Sequence, residues 1–338
     1  MVAPAGLFSN RYKVEDMPDL NGKVAIVTGG SRGIGEALVG DLVQKGCKVH
    51  ILANTPEHAE EAIQNISKHT PNAKDLIKFH QLDLGNFKEI IQVSKNLSNE
   101  LNRLDLLFLI AGIGVAPFGL TKDNIGNHFQ VNNLSQVLIT DILLDLMKKT
   151  SEKKQNSQDE LEKYSTRIVS MSSELHRTTN MDIACDNLEE FCHEKDALML
   201  YGRSKLLNIY FIRKLAESHL PSLTSSSPIL AASTHPGGVA TEQEAGAAQS
   251  YPILGTVLEA ASKVLFMSRE QGAESALWAG VGQTMAKRRE ETQGRYFTEA
   301  DGKVDTESDQ AKDVELRNKF WELSKQVLQD KAGYTLKH

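Results

Sequence analysis

The stretch LYGRSKLLNIYFIRK, residues 200–214, holds two tyrosines, each four positions before a lysine: Tyr201 before Lys205, and Tyr210 before Lys214. On a helix, positions i and i+4 share one face, so either pair would set a phenol beside an ammonium. That pairing suits proton transfer at a carbonyl oxygen. Negative charge developing on such an oxygen needs a proton and a polar group to stabilise it. A free phenol titrates near pH ~10, too high for easy exchange at neutral pH. An ammonium one turn away favours the phenolate and is expected to lower that value. A serine hydroxyl both donates and accepts, so it could hold the oxygen for attack. If both pairs lie on one helix, nine residues at about 100° each leave them half a turn and about 13 Å apart. Only one pair can then face a single site.

The elements that must position such a site repeat a simple pattern. Short apolar runs at Lys23–Gly29, Lys48–Ala53, Ile77–Leu84, Leu104–Gly112, Arg167–Ser173 and Pro228–Gly237 read as strands. Helical spacing fills the gaps at Glu36–Gly46, 56–69, Asn86–Asn102, Lys122–Lys149 and Tyr201–His219. Strands alternating with helices imply βαβ units and a parallel sheet covered on both faces. The expected architecture is therefore α/β: a single Rossmann-type doubly wound parallel sheet. The expected division is an N-terminal extension over 1–20, a dinucleotide-binding catalytic domain over 21–305, and a C-terminal helix and tail over 306–338. Thr150–Ser165 reads as a polar solvated insertion, and 220–228 as a surface loop. A final strand is expected within Gly294–Val304. An amphipathic helix is expected over Asp309–Gln329, with Phe320, Trp321 and Leu323 inward.

Composition narrows the function classes. The 338 residues carry 38 basic and 44 acidic side chains, a net charge of −6 with both signs interspersed. No basic footprint for nucleic acid or a membrane surface is visible. Cys47, Cys185 and Cys192 form no disulfide framework, and with His193 they match no common zinc spacing. No metal is expected. The start of the chain lacks the apolar run of a signal peptide, and no stretch reaches the ~18 apolar residues of a membrane span. A cytoplasmic protein is the expectation.

TGGSRGIG, residues 28–35, sits between the first strand and the first helix. Glycines there let backbone turn tightly against a pyrophosphate, which the N–H groups of the following helix then bind. Gly29, Ser31, Arg32, Gly33, Ile34 and Gly35 are the candidates. An acid at the end of the second strand would favour NAD, whereas a basic residue nearby accommodates a 2′-phosphate. Asn54 and Thr55 stand where the acid would be, Glu57 comes late, and Arg32 offers a guanidinium. NADP(H) is therefore expected over NAD(H).

TGGSRGIG, Asp83-Leu84, Ala111-Gly112, SMSS at 170–173, YGRSK at 201–205 and HPGGVAT at 235–241 together resemble the short-chain dehydrogenase/reductase family. The likeness runs from about Asp19 to about Lys303. The long spacing between SMSS and YGRSK is similar to the retinol-dehydrogenase-like branch. The resemblance implies that Asp83 and Leu84 border the adenine, and that Ala111 and Gly112 also line the cofactor site. It implies that Asn132 holds a water in the proton relay. Ser173, with Ser172 as the alternative, would contact the substrate oxygen. Pro236, Gly237, Val239 and Thr241 would lie near the nicotinamide. It also selects Tyr201 and Lys205, at the helix start where α/β ligands bind, and leaves Tyr210 to ordinary packing. The family usually has Asn-Ala-Gly after the fourth strand, where its asparagine ties neighbouring backbone together; Ile110 replaces it here.

These readings point to an oxidoreductase interconverting a carbonyl and an alcohol. Its nicotinamide would carry the difficult chemistry and, when oxidised, join the lysine in favouring the tyrosine's phenolate. The insert 174–200, with Leu175, Met181, Ile183, Leu188 and Phe191, and the small apolar stretch 242–266 suggest a lipophilic small-molecule substrate. The alternative is that the insert's apolar residues only pack it. His176 could touch substrate or be a bystander. A homo-oligomer is an open expectation. Reduction of an activated carbon–carbon double bond, or a non-catalytic dinucleotide-binding regulator, are the competing functions.

Overall fold

The computed structural model describes residues 11–178, 183–237 and 268–338. Seven strands form one sheet in the order β3-β2-β1-β4-β5-β6-β7. They are β1 (Val24–Thr28), β2 (Lys48–Ala53), β3 (Ile77–Gln81), β4 (Leu106–Leu109), β5 (Arg167–Met171), β6 (Leu230–Thr234) and β7 (Arg295–Phe297). Every neighbouring pair is parallel. Strand order reverses between β1 and β4, the switch point at which open α/β sheets leave a crevice.

The sheet is apolar on both faces because its strands alternate sides. In β1, Ile26 enters one core cluster while Ala25 and Val27 enter the other. In β4, Leu107 and Leu109 go one way, Leu106 and Phe108 the other. On the first face the helix Phe87–Glu100 packs against Ser135–Lys154, and Ala197–Lys214 against Val314–Ala332. On the second, Gly33–Gln44 packs against Arg269–Val281. Local signals set the helix starts: the Asn86 side chain accepts from the N–H groups of Lys88 and Glu89, and Asp196 does the same for Leu198 and Met199. Phe320, Trp321 and Leu323 of the last long helix are buried, as its spacing indicates.

Two expected boundaries move. The long helix starts later, at Asn127, passes through a π-helical turn over Gln130–Leu134, and runs on to Lys154. Thr150, Ser151 and Lys154 of the polar stretch are thus helical and buried. Each polar end there has a partner: Thr150 Oγ1 accepts from Leu104 N–H, Ser151 donates to the Pro228 carbonyl, and Lys154 pairs with Asp105 at 2.7 Å. Hydropathy alone reads such residues as solvated, because their partners lie far away in sequence. Among the described residues no helix is long and apolar enough to cross a membrane.

Candidate active site

A cleft of about 590 Å³ opens at the carboxyl ends of the strands. Its wall follows the strand exits: Gly29 after β1, Asn54 after β2, Asp83 after β3, Ala111 and Gly112 after β4, Ser172 after β5, and Pro236 after β6. Ser31, Arg32, Gly33, Ile34, Gly35, Leu84, Tyr201 and Lys205 line it too. Thr55, Asn132, Ser173 and Gly237 are not on this wall. Val239, Thr241, Met181 and the stretch 242–266 lie outside the described residues.

The floor is the glycine turn. Gly29 has φ +70°, and a Cβ there would stand 2.9 Å from the Ala111 Cα. A Cβ on Gly35 would stand 2.1 Å from the Gly29 carbonyl oxygen. Backbone can lie this close only without side chains. The helix Gly33–Gln44 begins at this floor with no side-chain cap. Its first-turn N–H groups face the cleft unclaimed by any capping side chain, as an anion site requires. The chain therefore fits a dinucleotide pyrophosphate.

At the β2 end, Asn54 is exposed on the cleft wall, while Thr55 turns its hydroxyl onto the Asn54 side chain at 2.9 Å. Glu57 stays off the wall, and His58 occupies it beside Arg32. His58 was not indicated by any motif; its only signal is its place in the first turn of the helix after β2. Asp83 is the only carboxylate on the described wall. It accepts from the Gly85 N–H at 2.8 Å and pairs with Lys122 at 3.0 Å.

The proposed proton-transfer residues converge across the cleft. Tyr201 lines the wall, and the Ser173 side chain acts on its phenol, favouring the ionised form. Lys205, 3% exposed, places Nζ 5.5 Å from the centre of the Tyr201 ring and donates to the Met171 carbonyl at 2.9 Å. Burial brings Lys205 down to about 8. The phenol departs from the sequence expectation: in the chain alone it is raised, because burial outweighs the Ser173 hydrogen bond that opposes it. Ser172 donates to the Lys205 carbonyl at 2.7 Å and is fully buried, so its hydroxyl is committed to the helix.

Asn132 sits in the π-helical turn, a feature frequent at functional sites. Its amide accepts from Ile113 N–H at 2.7 Å and donates to the Ile113 carbonyl at 2.9 Å and to Ser204 Oγ at 2.8 Å. It thereby joins the β4 exit to the Tyr201 helix. The backbone at Ile110 is tied in another way: the Thr28 hydroxyl accepts from the N–H groups of Ile110 at 3.1 Å and Ala111 at 3.2 Å. Ile110 itself turns into the apolar core and the cleft wall.

Tyr210 points the opposite way, as the half-turn predicts. It is fully buried and donates to the Gln310 carbonyl at 2.5 Å, while Lys214 donates to Asn318 at 2.8 Å. In the insert, Ile183 and Phe191 pack into the core, Phe191 stacking on Phe129 at 3.9 Å, and neither lines the cleft.

Comparison with known proteins agrees with this geometry. A family profile described as short chain dehydrogenase matches residues 23–181. Mouse retinol dehydrogenase 12 is 27% identical over 308 residues, covering 91% of this chain and 86% of its own. The short-chain dehydrogenase/reductase drtF of Aspergillus calidoustus is 29% identical over 318 residues, covering 92% of this chain and 95% of its own. A short chain dehydrogenase from Burkholderia cenocepacia, solved in complex with NADP, superposes with a TM-score of 0.58 at 21% identity, covering 84% of this chain and 99% of that one. With the parallel sheet, the glycine-floored cleft and these relatives in agreement, the chain is a short-chain dehydrogenase/reductase-like oxidoreductase, of the kind that acts on CH–OH groups with NAD(P).

Proposed function

We propose that this chain is an NADP(H)-preferring oxidoreductase that interconverts a carbonyl and an alcohol on an apolar small molecule, with Tyr201 as general acid/base. The observation that carries the reading is the Tyr201 side chain on the cleft wall, with the Ser173 side chain acting on its phenol and Lys205 beside its ring. A bound nicotinamide dinucleotide would supply the hydride. The chain's own residues supply the rest. Tyr201 holds the proton at its phenol oxygen. Ser173 Oγ, donor and acceptor at once, orients the substrate oxygen toward it. Lys205 places positive charge next to both. Asn132 keeps the Ile113 backbone and the Tyr201 helix in register. Ile110, Ile113, Val131 and Met171 make that part of the wall apolar and exclude water.

The preference for NADP(H) is supported by Arg32 and His58 on the wall beside Asn54, with Asp83 already paired. An apolar substrate is supported by the same wall and by the retinol named for the mouse relative. A panel of apolar aldehydes, ketones and alcohols with NADPH and NADH, followed at the nicotinamide absorbance, identifies a substrate. Tyr201→Phe then lowers kcat by a factor of about 10² to 10⁴ with cofactor binding unchanged. Turnover that survives this substitution refutes the mechanism, and equal kcat/KM with the two cofactors refutes the preference.

A further inference from the structure

His176 is 1% exposed and lies three residues after Ser173. Both ring nitrogens have partners that can play only one role. Nδ1 stands 2.6 Å from the Ser173 carbonyl, which can only accept. Nε2 stands 3.1 Å from the Ser308 N–H, which can only donate. The ring is therefore neutral, with its proton on Nδ1. A protonated ring would turn a second N–H against that of Ser308.

The residues around it are organised to the same end. Glu174 accepts from the Tyr296 hydroxyl at 2.9 Å and from Arg177 Nε at 2.6 Å. Arg177 also reaches the Thr306 carbonyl. The Glu174 N–H donates to His235 Nδ1 at 3.2 Å, and the Tyr296 ring meets the His176 ring edge-on at 4.9 Å. The turn after Ser173 is thus fastened to the ends of β6 and β7 and to the segment that leads to the last helix. The Ser173 hydroxyl accepts from the Leu175 N–H at 3.2 Å and caps the same turn, from which it acts on the Tyr201 phenol.

We propose that His176 is a positioning residue: as a neutral Nδ1–H imidazole it anchors the Ser173 backbone to the Ser308 segment and so fixes the distance between the Ser173 and Tyr201 hydroxyls. This rests on the reading of Ser173 as the group that meets the substrate oxygen. Burial drives the titration of His176 down to about 4; Arg177 adds to the lowering and Glu174 opposes it. The neighbouring His235 is likewise brought down to about 4 by burial. The anchor therefore holds across the neutral range.

The test combines ¹⁵N-histidine NMR of the intact wild-type chain with kinetics of His176→Phe, His176→Asn and Ser173→Ala. The expected spectrum shows His176 protonated on Nδ1 alone at pH 7. His176→Phe keeps an aromatic ring but loses both bonds, and its kcat falls about ten- to a hundredfold with little change in KM or in NADPH binding by fluorescence. His176→Asn, whose amide can donate to the same carbonyl, recovers most of the loss. A proton on Nε2 overturns the inference in the wild type alone, even if a variant fails to fold. So does His176→Phe with kcat within twofold of wild type while Ser173→Ala is inactive. If Ser173→Ala itself turns over normally, the serine reading fails and this inference falls with it.

Discussion

Gly35 and Gly40 lie on one helix, Gly33–Gln44, and the same substitution should act on them with opposite sign. A Cβ on Gly35 would stand 2.1 Å from the Gly29 carbonyl oxygen and 2.8 Å from its carbon. Real Cβ contacts essentially never fall below 3.0 Å, so the backbone of the turn must open. Neither atom belongs to a side chain that could rotate away. Overpacking of this kind costs about 1–3 kcal/mol. A β-carbon in place of glycine returns up to about 1 kcal/mol of helix propensity. The net effect on folding is small, but the opened turn is the one that must cradle the pyrophosphate. Displacing those N–H groups by an ångström should raise the NADPH dissociation constant at least about tenfold, equivalent to 1.4 kcal/mol. In Gly40→Ala the new methyl meets only Ile66 Cγ1 at 3.8 Å, ordinary contact. That variant should gain up to about 1 kcal/mol of stability and bind the cofactor as wild type does. Calorimetric titration with NADPH and urea denaturation of both variants check the pair. The reasoning is refuted if Gly35→Ala binds within twofold of wild type, or if Gly40→Ala weakens binding as much.

Asp105 is fully buried at the start of β4, where Lys154 at 2.7 Å, Arg103 at 2.7 Å and the Val24 N–H at 2.9 Å hold its carboxylate below the usual range against the opposing effect of burial. Asp105→Ala should cost about 3–5 kcal/mol, because Lys154 is left buried without its partner. Since the folded value is depressed, the wild-type contribution is complete above the ordinary aspartate range and fades as pH falls toward the folded value; urea midpoints of wild type and variant should converge in acid. Tyr210→Phe should leave kcat unchanged and cost about 1 kcal/mol in denaturation, because the Gln310 carbonyl loses one of its two donors and keeps only the Asp313 N–H. A fall in kcat without loss of stability would exchange the roles assigned to the two tyrosines.

The sequence carried the sheet because the signals there are local and repeated: six apolar runs, each ending in glycine or a turn, separated by helical spacing. It carried the two tyrosine faces because helix geometry alone separates positions nine apart. It missed what depends on partners distant in sequence. Thr150, Ser151 and Lys154 look like solvated residues until Leu104, Pro228 and Asp105 are brought to them by the fold. The π-helical turn at Asn132 has no compositional marker, since it arises where the Ile113 backbone and Ser204 pull on one side chain. The backbone at Ile110, where the family usually has asparagine, is held by the Thr28 hydroxyl 82 residues away, a partner that no local pattern indicates. His58 belongs to no motif; only the packing of the helix after β2 brings it to the wall.

The lowered phenol expected of Tyr201 rests on two positive neighbours, the Lys205 ammonium and the nicotinamide of an oxidised cofactor, and the chain alone carries only the first. In the fold both groups are withdrawn from water, which favours the neutral form of each: the phenol goes up and the ammonium comes down to about 8. Lys205 still carries its charge through most of the neutral range, yet it spends its hydrogen bond on the Met171 carbonyl and stands 5.5 Å from the ring centre. The chain by itself therefore presents Tyr201 as a protonated acid beside a cation that loses its charge above about pH 8. In the proposed reaction that is the form needed to give a proton to a carbonyl oxygen. Taking a proton from an alcohol needs the phenolate, and burial alone works against it. Ionisation at neutral pH would thus be favoured by positive charge beyond these residues, of the kind an oxidised nicotinamide would bring.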